Sequence, residues 1–230
     1  MITNDRRPKR YPPPEFPPRR TALFARTPPA IFPPILGLLG LAGAVRLALG
    51  RMGWDQGLAD LLAGVAVALW LFATVAYLAK VARRPGVVAE DLRVLPGRSG
   101  LAAMSMGGMV TAGLVSAYST PVSAVLLLAS LAGQAVLAGV LVRLLMGLSP
   151  EARLVNPTLH LSVVGFIVAA PAALALGWGW LAEALFWSML PVAVVIWGLS
   201  LRQFARSVPP APLRPLLAIH LAPAALLSSV

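Results

Sequence analysis

The chain has 230 residues, 58% of them hydrophobic and only 12% charged, with a mean hydropathy of +0.81 and a formal net charge of +11. A soluble domain carries about 25% charged residues and cannot hide this much apolar surface from water, so the composition excludes one. With no cysteine, disulfides, thiolate metal sites and thiol chemistry are excluded as well.

Residues 1–29 are rich in arginine and proline, with Pro12-Pro-Pro14 and Pro17-Pro18. They are read as an extended, mobile tail and show no short apolar stretch of the kind that makes a cleavable signal. The transmembrane domain is predicted over 30–230. About 20 mostly apolar residues cross a bilayer as a helix, which places spans near 31–50, 58–79, 100–118, 122–145, 158–177, 181–200 and, incompletely, 215–230. The fold class is therefore all-α: a polytopic membrane protein.

Charge supplies the orientation. If the spans alternate, every basic residue except Arg46 and Arg51 falls on one side: the tail, then Lys80, Arg83, Arg84, Arg93 and Arg98, then Arg143 and Arg153, then Arg202, Arg206 and Arg214. Basic residues are retained in the cytoplasm. The N-terminus is expected there, in the plasma (inner) membrane of a multi-pass protein. The net charge is thus a topology signal, and no nucleic acid partner is implied.

The spans are of two kinds. The second, fourth and sixth are mostly Leu, Val and Ala, and Leu69, Leu127 and Val194 are expected to face lipid. The odd spans are irregular. The first carries Pro33, Pro34, Gly37, Gly40 and Gly43; the third carries Gly107 and Gly108; the fifth carries Pro157, His160, Gly165 and Pro171; the seventh carries Pro215, His220 and Pro223. Proline removes a helix hydrogen bond, and unsatisfied backbone in a bilayer persists only against protein or water. The pattern predicts repeated helical hairpins, with kinked odd helices lining a pore and plain even helices outside. The pore-lining candidates are Pro33, Pro34, Gly37, Gly107, Gly108, Pro157, Gly165, Pro171 and Pro223.

Catalytic chemistry is not legible. All eight acids lie in the tail, in loops or near helix ends, so the carboxylate relay of a proton-coupled carrier is missing. His160 and His220 without a nearby carboxylate do not make a metal site, and the serines of the spans have no adjacent base. No enzyme, metal or cofactor is expected. Arg46 and Arg143 are read as snorkelling to the interface. A wall of small residues and broken helices without acids suits small anions.

Three motifs carry a resemblance. Thr27-Pro-Pro-Ala-Ile-Phe-Pro-Pro-Ile-Leu-Gly-Leu-Leu-Gly-Leu41, Val155-Asn-Pro-Thr-Leu-His-Leu-Ser-Val-Val-Gly165 and Leu213-Arg-Pro-Leu-Leu-Ala-Ile-His-Leu-Ala-Pro-Ala224 resemble the first, fifth and seventh helices of the tellurite-resistance/dicarboxylate transporter family. Bacterial TehA and the plant slow anion channels are among its members. The resemblance implies ten helices in five hairpins, about seven of them present here, and a homotrimer whose protomers each pass small anions. It implies a gate on a ninth helix, which these residues do not include, so the gate is unknown. The third span has no proline, and Gly107 with Gly108 is expected to supply its bend. Channel-like anion transport is the function implied. The alternatives are a carrier for C4-dicarboxylates or oxyanions such as tellurite, and a membrane fragment that does not conduct by itself.

Overall fold

The computed structural model describes residues 23–147, 159–205, 218, 219, 221, 222 and 225. All regular structure among these residues is helical. In chain order come a 3-10 turn (Pro29–Ile31), α1 (Phe32–Met52), α2 (Gly57–Arg83), α3 (Val87–Arg93), α4 (Leu95–Val115) and α5 (Thr120–Met146). The fifth span follows as three pieces, a π segment (His160–Val164), a 3-10 segment (Gly165–Ala169) and α6 (Ala170–Ala175), and α7 (Gly179–Phe204) closes the series. Hairpins form between α1 and α2, between α4 and α5, and between the fifth span and α7.

Four described helices are long and apolar enough to cross a membrane: Pro29–Met52, Gly57–Arg83, Thr120–Leu144 and Gly179–Phe204. The chain is an all-α polytopic membrane protein. α4 is not among the four, because Gly, Ser, Thr and Arg98 dilute its apolar residues. Its position explains the tolerance. Leu101, Ala102, Ala103, Met106, Met109 and Ala112 are buried on successive faces, against α1, α2, α5 and the fifth span. A helix surrounded by protein meets little lipid and has no need of a fully apolar surface.

Several expectations change here. The second span extends four residues further, to Arg83, which carries Lys80 into its last turn. The basic connection after it contains α3. The third span starts at Leu95 and runs to Val115 as one α-helix, with no change of hydrogen-bond pattern at Gly107-Gly108. Leu69 and Val194 are exposed, but Leu127 is wholly buried, since it lies on the side of α5 that packs on α4. The end of the arm is packed: Phe24 meets Phe72 edge to face at 5.7 Å, Lys80 donates to the Thr27 carbonyl at 3.0 Å, and Pro29 is buried.

Turns are set by glycine where the backbone demands it. Gly53 ends α1 at φ 68° and Gly177 ends α6 at φ 76°, left-handed conformations that cost a side-chain-bearing residue about 1–2 kcal/mol.

Candidate functional site

The interior centres on α4 and the broken fifth span. The first break signal in the sequence, Pro33-Pro34, occupies the first turn of α1, where a missing N–H removes no helix bond. These prolines start the helix after the 3-10 turn. Pro171 does the same for α6 after the 3-10 segment. The true change of helix type comes at Gly165, where the π segment gives way to the 3-10 segment.

The glycines divide into two groups. A methyl built on Gly37 would meet nothing within 4 Å, and the same holds for Gly40 and Gly43. Pro33, Pro34, Gly37 and Gly40 are exposed on α1. The other candidates are closed in. A Cβ on Gly107 would lie 2.7 Å from the Trp70 ring, and one on Gly108 would collide with Ser130 Oγ. One on Gly165 would lie 2.6 Å from Met106 Sδ and 2.9 Å from Gln134 Nε2. These three glycines allow neighbouring helices to approach closely. Pro157 and Pro223 lie outside the described residues, as does His220.

Side chains of the outer helices reach inward to backbone carbonyls. Trp70 Nε1 of α2 donates to the Met104 carbonyl at 3.0 Å. Ser123 Oγ of α5 donates to the Ala112 carbonyl at 2.7 Å. Gln134 Nε2 of α5 donates to the carbonyls of Leu161 at 2.8 Å and Ser162 at 2.9 Å, and Gln134 Oε1 accepts from the Ser105 hydroxyl. A carbonyl has two lone pairs, so it can take such a donor beside its helix partner.

Gln134 is absent from the sequence-derived candidates. Its signal was present, however. Ser123, Leu127, Ser130, Gln134, Leu137 and Leu141 are all buried and alternate at spacings of four and three, the seam of a packed helix. Three polar groups on one such seam mark the inward side.

Two charged clusters sit at opposite ends of the helices. Arg46 is tied to its neighbours: it bonds Asp60 Oδ1 at 2.5 Å, the Leu114 carbonyl at 2.8 Å and Tyr118 Oη at 3.0 Å. It lines an open cavity of about 590 Å³ together with Arg51, Gln56 and Asp60. At the other end Asp91 of α3 accepts from Tyr77 at 2.9 Å and Lys80 at 3.1 Å. Arg143 is exposed. His160 is buried beside the Trp197 ring, 5.8 Å between centroids.

The buried polar side chains among the described residues are the hydroxyls of Ser105, Thr111, Ser123, Ser130, Ser162 and Ser200, with Gln134 and His160. None is a carboxylate. Among the described residues no three of His, Cys, Asp and Glu gather as a metal site.

Apolar hairpins around a buried glycine-rich helix, with a broken helix beside it, define an integral membrane protein of several spans. The chain belongs to the SLAC1 family: the family model, described as voltage-dependent anion channel, matches residues 26–230. No curated protein matches the chain. Membership makes anion channel or transport activity in a lipid bilayer the general function, in a family of channels and not of enzymes.

Proposed function

We propose that the chain forms the wall of a channel-like pathway for small anions, running beside the exposed small-residue side of α1 and the broken fifth span. The observation that carries this reading is the sign of the interior. The buried polar groups described are hydroxyls, one amide and one imidazole, so the wall along which an anion would pass has no carboxylate buried behind it. Cation pathways are built the other way, with carboxylate rings or ordered carbonyls.

In this reading Pro33, Pro34 and Gly37 face the pathway. Gly107, Gly108 and Gly165 hold its wall from behind by close packing, and Pro171 starts the helix beyond the break. The N-terminus lies in the cytoplasm of a plasma (inner) membrane, where the basic side concentrates anions at one mouth. The working unit is a homotrimer with one pathway per protomer, as the family resemblance implies.

Chloride and nitrate efflux from proteoliposomes tests the proposal, with potassium efflux as the control. Two preparations are compared: the 230-residue chain, and the same chain extended by three further helices of a family member. Anion flux without potassium flux in either preparation supports the pathway. Silence in both, or equal potassium flux, overturns it. Saturable uptake of C4-dicarboxylates or tellurite without channel currents would overturn the channel form of the proposal in favour of a carrier.

A further inference from the structure

Gln134 is wholly buried in the middle of α5, among leucine, valine and alanine. A buried primary amide without partners costs several kcal/mol in an apolar interior. In a helix that could have carried leucine at that place, it marks a task. Three elements meet on this one side chain: α5 supplies it, Ser105 of α4 donates to its oxygen, and two carbonyls of the π segment accept from its nitrogen.

The choice of carbonyls follows from counting. A π hydrogen bond joins the carbonyl of residue i to the amide of i+5, whereas a 3-10 bond joins it to the amide of i+3. A chain that steps directly from the first pattern to the second passes over two carbonyls, for which the helix has no amide to offer. Here the π segment His160–Val164 leads straight into the 3-10 segment Gly165–Ala169. The two carbonyls held by Gln134, those of Leu161 and Ser162, lie just before that change. A primary amide has two N–H groups, matching the two acceptors. Gly165 provides the room, since a Cβ there would lie 2.9 Å from the Gln134 nitrogen.

We infer that Gln134 is the positioning residue of the break: it holds the π-to-3-10 junction and draws two carbonyls toward α5, keeping their negative ends out of the anion pathway. The second half rests on the anion-pathway reading. Carbonyl oxygens turned into a lumen attract cations and oppose anions. Covering them from the outer helix therefore acts on charge selectivity as well as on shape.

The test uses Gln134→Met, which keeps length and apolar packing but removes both donors. Leu127→Met, on the same buried seam, is the control for a change of shape. Ser105→Ala removes the donor to the amide oxygen and leaves both bonds to the carbonyls. Hydrogen exchange over 160–169 is measured in lipid nanodiscs, and the chloride-to-sodium permeability ratio is taken from reversal potentials in the preparation that carries flux. Q134M is expected to speed exchange within that segment. It is also expected to lower the permeability ratio at least about five-fold, since each of the two lost hydrogen bonds has about that factor on an equilibrium. L127M and S105A should stay close to wild type in both.

Unchanged exchange in Q134M, or an equal change in L127M, overturns the positioning role. Faster exchange with an unchanged permeability ratio overturns the selectivity role. Absence of anion flux from wild type with faster exchange in Q134M overturns the pathway reading and its selectivity consequence, and supports the positioning role. If Q134M cannot be recovered, Gly165→Ala drives a methyl into the same amide and is expected to give the same two changes. A wild-type result in that variant overturns the inference.

Discussion

Arg46 and Asp60, fourteen residues apart in the chain, meet at 2.5 Å across the α1–α2 hairpin. The same guanidinium holds the carbonyl of Leu114 at the end of α4 and the Tyr118 hydroxyl beyond it. One side chain thus fastens three helices at the end away from the N-terminal arm. Arg46→Ala is expected to lower unfolding stability by about 1–3 kcal/mol, because it leaves both a carboxylate and a carbonyl without their donor. Asp60→Asn should cost less, since the Asp60 side chain is 43% exposed and water screens the pair. Thermal unfolding in detergent measures both, and an equal loss from the two variants would show that the bonds to Leu114 and Tyr118 contribute nothing.

The cluster at the other end ties the arm to the helices. Asp91 accepts from Tyr77 and Lys80, and Lys80 also donates to the Thr27 carbonyl. Lys80 and Asp91 side chains are 11% and 17% exposed, so breaking the pair leaves a poorly solvated charge. Asp91→Ala is expected to free residues 23–27 and speed tryptic cleavage after Arg26, read by mass spectrometry. Cleavage at the wild-type rate would mean that the packing of Phe24 on Phe72 holds the segment without the ion pair.

Two glycine substitutions should differ in sign. A Cβ on Gly100 would lie 2.3 Å from the Pro29 carbonyl oxygen and 2.4 Å from its carbon, backbone that cannot rotate away. Gly100→Ala is expected to destabilise by about 1–3 kcal/mol through overpacking. Gly37→Ala meets nothing within 4 Å and should be neutral or stabilise by about 0.5–1 kcal/mol through helix propensity. Denaturation midpoints of the two variants check the contrast, and a loss from G37A as large as that from G100A would refute the packing difference.

Accessibility separates Gly37 from positions facing lipid or protein. The chain has no native cysteine, so single substitutions report cleanly. Gly37→Cys is expected to react with a water-soluble maleimide, Leu69→Cys to be shielded by lipid, and Leu127→Cys to be shielded by protein. Adding detergent should expose the cysteine at 69 and leave that at 127 protected. Reaction at 37 no faster than at 69 would remove α1 from the pathway wall.

Orientation is open to a direct check. A reporter fused after Arg93 is expected to behave as cytoplasmic, and one after Gly179 as lying on the opposite side. The reverse pair of signals would contradict the cytoplasmic N-terminus.

Most helices were legible in the sequence as apolar runs of bilayer length, because that length is set by the thickness of the hydrocarbon. The first span was predicted over 31–50 and is observed as Phe32–Met52. The sixth was predicted over 181–200 and is observed as Gly179–Phe204. α3 was not legible. Seven residues in a basic connection have no length signal, and the helix is held by a contact between Asp91 and residues of α2. Proline was a partial guide to irregularity: at 33, 34 and 171 it starts helices, and the change of helix type falls at Gly165.

By itself the sequence determined that the chain lies in a bilayer, roughly where it crosses, and that no carboxylate stands in the middle of a span. Those properties depend on composition and length, which need no partner to be read. Which face of each helix points inward was decided only by the tertiary structure. In water that face announces itself by being apolar, but in lipid both faces are apolar and the hydrophobic period vanishes. What is left is the quieter period of small and polar residues, and its meaning depends on what stands opposite. Gln134 acquires its role only because the fifth span, brought against α5, changes its hydrogen-bond step where that amide can reach it.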